Sequence, residues 1–315
     1  MLVREVVQIK GSTRRKLVGF LILLPTLVSL GVFVYVFIGW TVGVSFSNWN
    51  SFSKLIKGEY IFTGLRNYMR LFEDPRFQTD LWNTLFFTLF FIAGCLSLGI
   101  ILAVLIDKGL KGSRVFQSIF LFPMAISFVV TGTVWSWIFA PGILPKFPQG
   151  MNLLFKLMGL QALQWRWYTS TTSILHFNLA LIPVIIAAIW QLSGYTMAMY
   201  LAGLRGIDQA LIEAAKVDGA TDRQIFWRIK FPILRPITLS AMIILGHISL
   251  KIFDLVYSMT GSGPNNVTDV PAIYMFETTF RANRYATGSA IAIIMLVMVA
   301  VVIVPYLVTS IKKEV

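Results

Sequence analysis

The stretch that decides the fold is the polar segment at residues 205–236, which reads RGIDQALIEAAKVDGATDRQIFWRIKFPILRP. Apolar runs flank it on both sides, at 178–203 and 237–259. Roughly 20 apolar residues form a helix long enough to cross the hydrocarbon layer of a membrane. The segment therefore joins two predicted membrane spans, and it is longer than a simple connector needs to be.

Outward from this segment, the chain contains six such apolar runs, and we predict an all-α integral membrane protein with six transmembrane helices. The runs lie, to within a few residues, at 17–42, 82–106, 115–139, 178–203, 237–259 and 286–309. Three further segments are predicted, namely a 1–16 N-terminal segment, the 205–236 loop between spans four and five, and a 310–315 tail. The first run is too long for a secretory signal and no small-residue cleavage site follows it, so we predict a retained span.

The composition excludes several classes of protein. Of the 315 residues, 57% are hydrophobic and 13% are charged, and the mean hydropathy is +0.75. These values exclude a soluble globular surface and a disordered chain. The net charge of +13 comes from short Lys and Arg clusters between apolar runs, which favours a membrane over nucleic acid as the partner. One Cys and two His argue against a disulfide framework and against a metal site.

The distribution of basic residues predicts the orientation of the spans. If the N-terminus is inside, the segments on its side hold 16 Lys and Arg residues and the opposite side holds 10. Cationic loops stay in the cytoplasm. We therefore expect both termini and the 205–236 loop to be cytoplasmic.

The first half of the 205–236 loop has the pattern of a short helix. Asp208 can cap a helix that begins at Gln209 and ends at Val217, a stretch rich in alanine. Asp218 and Gly219 then provide a break, because glycine adopts helix-ending backbone angles at little cost.

The second half predicts another short helix. Thr221 and Gln224 fit a capping box, and we expect this helix to run through Phe231 and to end at Pro232. It would carry an apolar face formed by Ile225, Phe226 and Ile229. Two interpretations stay open: the loop lies on its own bundle or at the lipid interface, or it docks on a partner, with small alanines allowing close approach and Glu213 at the rim.

Several motifs in the chain resemble one family. Glu213-Ala214-Ala215, Asp218-Gly219-Ala220, Ile229, Pro232 and Leu234 closely resemble the EAA loop of binding-protein-dependent ABC importer permeases. Other segments are similar to the sugar-uptake, maltose-transporter-like branch: Gly64-Leu65, Asn67-Tyr68, Asp74-Pro75-Arg76-Phe77, Asn83-Thr84, Pro123, Trp135-Ser136-Trp137, Phe253-Asp254, Thr260 to Pro264, Phe280 and Gly288. Ser262 departs from the family pattern, which has glycine there.

The resemblance implies a permease subunit of a bacterial-type inner membrane that passes a carbohydrate, as an oligosaccharide, from an extracytoplasmic binding protein into the cytoplasm. It implies a second related permease and two cytoplasmic ATPase subunits that hold ATP and magnesium, with no cofactor on this chain. The sequence contains no G-x-x-x-x-G-K-[ST] motif, so we expect the chain not to be an enzyme. By resemblance, the coupling residues are Glu213, Ala214, Ala215, Asp218 and Gly219.

Polar side chains within the fifth run are candidates for a substrate path, because such groups are expensive in lipid. The spacing of His247, Lys251, Asp254 and Ser258 places them on one side of a continuous helix. Aromatic and amide side chains suit sugar ring faces and hydroxyls, which adds Trp190, Gln191, Tyr195, Phe253 and Tyr257. The alternative is that Lys251 and Asp254 pair with each other or with a partner permease.

The sequence is compatible with two other functions. An ion-coupled secondary transporter would ordinarily carry more spans and more intramembrane ionisable groups than Lys251 and Asp254 provide. A permease of the same family for an anionic solute, such as an acidic oligosaccharide or a polyol phosphate, would suit Lys251 and the 140–177 segment, which has no acidic residue. A membrane enzyme is disfavoured because no nucleophile and base occur at useful spacing.

Overall fold

The computed structural model describes residues 18–109 and 112–314, with side chains described as far as residue 305. The chain divides into two compact units. The first comprises the residues up to Tyr68 together with Thr278–Ile293, and the second comprises Met69–Glu277 and the residues from Ile294 on. The predicted 1–16 segment and Leu17 lie outside the described residues.

Apolar helices dominate the described chain. Four are long and apolar enough to cross a membrane, namely Val18–Ser45, Pro75–Asp107, Leu179–Arg205 and Tyr285–Pro305. Two helix pairs pass the same test together but are bent, by 100° for Ser113–Ala125 with Phe128–Ile138 and by 60° for Asp222–Ile233 with Arg235–Leu250. The described residues therefore contain four candidate spans, or up to six if each bent pair is one span.

Hydrogen bonds from a buried polar side chain stabilise the first unit. It contains the helices Val18–Ser45 and Phe52–Ile56 and the first part of the helix Tyr285–Glu314. The buried Asn67 amide donates hydrogen bonds to the backbone oxygens of Ser45 (2.8 Å) and Ser47 (2.9 Å). A side-chain amide can hydrogen-bond to backbone groups that have no partner in a helix or sheet. The Asn67 side chain therefore holds the turn that follows the first long helix.

The second unit holds most of the helices, which are separated by short breaks. In chain order they are Pro75–Asp107, Ser113–Leu121, Phe128–Ile138, Gly150–Leu157, Ile182–Arg205, Gln209–Val217, Asp222–Ile225, Phe231–Ile233, Arg235–Leu250, Asp254–Met259 and Pro271–Phe276, and the helix Arg66–Glu73 leads into them. The all-α prediction needs one correction. Two antiparallel hairpins occur in the 140–177 region and just beyond it, pairing Gly142–Ile143 with Phe147–Pro148 and Ser173–Ile174 with Phe177–Asn178.

The core of the second unit is the contact between the helices Pro75–Asp107 and Ile182–Arg205. Gly99 lies against the side chain of Thr196, where an added Cβ would clash. Thr196 in turn donates a hydrogen bond to the backbone oxygen of Cys95 at 2.7 Å. Small residues let membrane helices approach closely and hydrogen-bond across the contact, so these two helices form the core of the second unit.

The third predicted span, at 115–139, is not a continuous helix. The chain passes through a 3-10 turn at Phe122–Ala125 and becomes extended at Ile126, with φ −83° and ψ 140°. Ser127 then starts a new helix by accepting a hydrogen bond from the backbone N–H of Val130. Because Pro123 cannot donate a backbone hydrogen bond, the first helix has a weak point here, and the 100° bend follows.

The fifth predicted span, at 237–259, is also interrupted. The helix Arg235–Leu250 ends at Lys251, and a new helix begins at Asp254. No proline or glycine marks this break. Phe253, with φ −127° and ψ −60°, instead packs its ring against other aromatic rings, and this packing accompanies the interruption.

The other predicted spans correspond to helices with somewhat different ends. The run 82–106 lies within Pro75–Asp107, where Asp74 caps a helix that starts earlier than hydropathy indicates. The run 178–203 matches Leu179–Arg205, and 286–309 lies within the helix Tyr285–Glu314. The predicted 310–315 tail is not separate, because its backbone as far as Glu314 continues this last helix.

Candidate functional site

The first candidate element is the short helix Gln209–Val217, here called the loop helix, whose bounds agree with the sequence pattern. The Asp208 carboxylate accepts a hydrogen bond from the backbone N–H of Ala210 at 2.9 Å, which caps the helix start. At the other end Gly219 has φ +79°, and the N–H of Ala220 donates to the backbone oxygen of Ala215 at 2.9 Å. The left-handed glycine thus closes the helix as predicted.

One face of the loop helix is uncovered. Helical spacing places Ala210, Glu213, Ala214 and Val217 together, and we call this set the open face. All four are exposed, and Val217 is 88% exposed. Ile212 on the opposite side is buried, at 9% exposure. The open face is therefore a small, partly apolar surface with one carboxylate, a composition suited to close contact with another protein.

The second half of the loop packs inward. The capping box between Thr221 and Gln224 is present, since each backbone N–H is hydrogen-bonded by the other residue's side chain. Ile225 is buried, at 3% exposure, so the apolar face of this segment covers the chain's own body. The helical segment continues through a π-helical stretch to Ile233, one residue beyond the expected end at Pro232, and the 60° bend follows there.

The fifth-run polar residues do not form one helical stripe. His247 belongs to the helix Arg235–Leu250, Lys251 lies at the break, and Asp254 and Ser258 lie on the following helix. Lys251 and Asp254 are both exposed, and no ion pair joins these two described residues. The hydroxyl of Ser258 donates to the backbone oxygen of Asp254 at 2.6 Å. The interpretation of Lys251 and Asp254 as a pair within this chain is therefore wrong.

Two of the aromatic candidates meet at this break. The rings of Phe253 and Tyr257 stack, with centroids 5.0 Å apart, and Phe276 packs against Phe253 at 5.3 Å. Phe253 and Tyr257 are half-buried. Stacked aromatic faces beside the exposed Lys251 and Asp254 provide both an apolar wall and polar groups, the combination that a sugar ring requires.

The fourth-span candidates are less uniform. Gln191 is buried, and its amide donates to the backbone oxygen of Ile126 at 2.7 Å, so it holds the bend in the third span. Trp190 is 39% exposed, with its ring 5.6 Å from that of Trp135, and Tyr195 is half-buried. Trp190 and Tyr195 remain candidates for contact with substrate, whereas Gln191 is positioned to support the helix bend.

Sequence reasoning missed a partly buried ionic group, here called the Arg76 cluster, formed by Arg76, Asp269, Glu277 and Tyr274. Arg76 donates to Asp269 and to Glu277, each at 2.6 Å, and lies over the Tyr274 ring at 4.4 Å. The Tyr274 hydroxyl donates to the Asp74 carboxylate. Burial, reinforced by that carboxylate, raises the pKa of Tyr274 above its usual range, so the phenol stays protonated as a donor.

Buried amides next to this cluster extend the network. Asn83 is fully buried and donates to the backbone oxygens of Val267 (3.2 Å) and Asp269 (2.8 Å). Asn178 donates to Asn83 at 2.9 Å. Nearby Asp80 is fully buried, and neither of its carboxylate oxygens has a hydrogen-bond partner among the described residues. The sequence signal for this network is that Arg76 and Asn83 are polar residues at the start of an apolar run. Both belong to the motifs that resemble the sugar-uptake branch, but those motifs do not indicate what the two side chains contact.

Comparisons with known proteins identify the family of the chain. Residues 95–315 match the family described as binding-protein-dependent transport system inner membrane component. A probable ABC transporter permease of Pyrococcus horikoshii is 40% identical, covering 93% of this chain and 96% of that protein. The xylose/arabinose import permease XacH of Haloferax volcanii is 35% identical, covering 91% and 86%. The trehalose/maltose permease MalF of Thermococcus litoralis is 28% identical, covering 95% of each chain.

A solved structure also resembles the fold. A chain of a bacterial ABC transporter involved in import of the acidic polysaccharide alginate superposes with a TM-score of 0.74. It is 22% identical, and the match covers 94% of this chain and 96% of that one. The family model matches more than half of the chain, and a permease is 40% identical over nearly its whole length. This chain therefore belongs to the binding-protein-dependent transport system inner membrane component family, the permease subunits of ABC transporters.

Proposed function

We propose that the chain is the permease subunit of an ATP-driven importer that passes a carbohydrate from an extracytoplasmic binding protein into the cytoplasm. An oligosaccharide is the first candidate for this carbohydrate. Its partners are a second related permease, two ATPase subunits that bind ATP and magnesium, and the binding protein. The observation that carries the proposal is the open face of the loop helix in a chain of this family.

The proposed topology has six spans and two cytoplasmic termini. The four long helices, the bent pair Ser113–Ala125 with Phe128–Ile138, and the helix Arg235–Leu250 with Asp254–Met259 would supply the six spans. The excess of Lys and Arg on the side of the 205–236 loop supports a cytoplasmic position for that loop. ATP is hydrolysed in the cytoplasm, so the same position brings the loop helix to the side where the ATPases lie.

The open face would contact the ATPase. Ala210 and Ala214 have short side chains that allow a partner backbone to approach, and the exposed Glu213 carboxylate adds a charged contact at the rim. The opposite side of the loop helix is anchored through buried Ile212. A helix that is fixed on one side and open on the other transmits a push from the ATPase to the rest of the permease.

A carbohydrate is supported by two observations. The relatives include proteins named for xylose and arabinose and for trehalose and maltose. In this chain, the stacked rings of Phe253 and Tyr257 lie beside exposed Lys251 and Asp254. Rings that stack on sugar faces, together with charged groups that bind hydroxyls, suit a neutral sugar.

The proposal is tested by ATP-dependent uptake. The chain would be purified with its co-eluting subunits, placed in vesicles and supplied with labelled maltose, trehalose or a longer oligosaccharide together with the binding protein. We expect uptake that requires ATP and stops when the ATPase subunits are inactivated. Uptake driven by an ion gradient without ATP would instead support a secondary transporter. If ATP drove the uptake of another solute but of none of the sugars tested, the carbohydrate assignment would be wrong and the assignment as an ATP-driven importer would stand.

Lys251 allows a separate test of the substrate path. Because Lys251 is exposed and forms no ion pair within the described chain, Lys251→Ala should leave the thermal midpoint unchanged. If the side chain contacts passing substrate, the transport rate should fall roughly fivefold, the equivalent of about 1 kcal/mol. Initial uptake rates measure the effect. Lys57→Ala, another exposed lysine, is the matched control and should transport normally. Equal rates for both variants would place Lys251 outside the path.

A further inference from the structure

A cavity of about 570 Å³ lies where the helix Pro75–Asp107 ends beside the 205–236 loop. Its charged lining consists of Asp107, Lys108, Lys216, Asp222, Arg223 and Lys230. Four cations against two carboxylates leave an excess of positive charge. A cavity of this size accommodates a small ligand or a lipid headgroup, and its charge selects an anion.

The positive charge is concentrated on three side chains. Lys230 donates to the Asp107 carboxylate at 3.0 Å, so these two largely neutralise each other. Lys108, Lys216 and Arg223 form no ion pair with any other residue in the described part of the chain. These three cations and the Asp222 carboxylate line one cavity from two separate parts of the sequence, so positive charge remains in excess apart from the Lys230–Asp107 pair. Mutual repulsion among them would be relieved by a bound anion.

The rest of the lining is apolar. Val104, Ile212, Ile225 and Phe226 complete the wall of the cavity. Val104 belongs to the last turn of an apolar helix that is long enough to cross a membrane, so the cavity lies at the depth where hydrocarbon gives way to headgroups. A ligand with a phosphate and an apolar body matches this combination better than a free inorganic anion does.

The cavity and the open face lie on opposite sides of the loop helix. Ile212 and Lys216 are four residues apart and point to the cavity, whereas Glu213 and Ala214 belong to the open face. A partner on the open face and a ligand in the cavity could therefore bind at the same time. A ligand in the cavity would brace the loop helix from the membrane side.

We propose that this cavity binds the phosphate of an anionic phospholipid headgroup, with Lys108, Lys216 and Arg223 as its phosphate-binding residues. The inference goes beyond the proposed function and does not depend on the transported solute. It uses the proposed topology only to assign the lipid to the cytoplasmic leaflet. Lipid binding is measured without transport, so failure of one proposal is distinguishable from failure of the other.

The test is lipid binding to the full-length chain purified in a neutral detergent. Phosphatidylglycerol and phosphatidylcholine would be titrated separately, and bound lipid would be counted by native mass spectrometry. We expect phosphatidylglycerol to bind and phosphatidylcholine not to bind. The double variant Lys216→Gln with Arg223→Gln should bind phosphatidylglycerol roughly thirtyfold more weakly, because each cation near an anionic lipid contributes about fivefold.

The matched control is Arg205→Gln with Arg228→Gln. It removes the same charge from exposed positions in the same loop that do not line the cavity. We expect it to bind phosphatidylglycerol like the wild type. An equal loss in both double variants would overturn the site in favour of diffuse attraction. A further titration with inorganic phosphate distinguishes the two sources of the anion: saturable phosphate binding without phosphatidylglycerol binding would overturn the lipid assignment.

Discussion

Replacing Gly219 with valine is expected to lower ATP-driven uptake by roughly tenfold or more while the chain still inserts in the membrane. Gly219 has φ +79°, a left-handed conformation that costs a residue with a side chain about 1–2 kcal/mol. A β-branched residue is particularly unsuited to it. The chain would relieve this strain by changing the turn after Val217, which shifts the open face. Since about 1.4 kcal/mol corresponds to tenfold in affinity, association with the ATPase should weaken to that extent.

The measurements are uptake in vesicles and the amount of ATPase that co-purifies with the chain. Gly58→Val is a close control, because Gly58 also has positive φ (+63°), is exposed and has open space around it, but lies outside the loop. Gly219→Asn should retain most activity, since asparagine tolerates left-handed angles. If Gly219→Val bound the ATPase as well as the wild type, the turn would have no role in coupling.

Local chemistry explains which parts of this loop could be predicted. The Asp208 cap, the Gly219 ending and the Thr221–Gln224 capping box are each set by residues within a few positions of one another. Such capping interactions depend on neighbouring residues and not on contacts with distant segments. The loop helix therefore has the ends that its sequence indicates.

Long-range contacts explain which parts could not be predicted. Nothing near Phe253 in sequence indicates a helix break, and Phe276, whose ring packs against that of Phe253, is more than 20 positions away. Likewise, the sequence makes Gln191 a candidate for substrate contact, but its amide donates a hydrogen bond to the backbone oxygen of Ile126, in another span. Hydropathy identifies the apolar runs, but it does not show where a buried side chain from a distant segment will hold a bend.

The Arg76 cluster illustrates the same limit most clearly. Arg76 and Asp269 are separated by 193 positions, yet their side chains are 2.6 Å apart. A single sequence offers no pattern that links residues at such a distance. Asp269 is fully buried, so its charge must be compensated by another charge or by hydrogen bonds. Once Asp269 is known to be buried, a compensating partner for its charge is required. The sequence does not show that Asp269 is buried, because its burial follows from the fold.

Arg76→Gln should therefore be strongly destabilising. It would leave the buried Asp269 carboxylate without its counter-charge, and breaking a buried ion pair in this way typically costs about 3–5 kcal/mol. The apparent unfolding midpoint of the purified chain should fall by on the order of 10 °C. Thermal unfolding in a fixed detergent, at matched protein concentration, measures the change. Arg70→Gln is the control, because Arg70 is exposed nearby in sequence and should change the midpoint little.

A second substitution separates an unpaired charge from lost packing. In Arg76→Gln combined with Asp269→Asn, both members of the pair are neutral amides, and the asparagine oxygen can still accept the hydrogen bond from the Val270 N–H, which is 3.1 Å long. If the buried charge is what destabilises the single variant, the double variant should unfold several degrees higher than it. A double variant as unstable as Arg76→Gln, or less stable, would show that Arg76 acts mainly by filling space over Tyr274 rather than by neutralising Asp269.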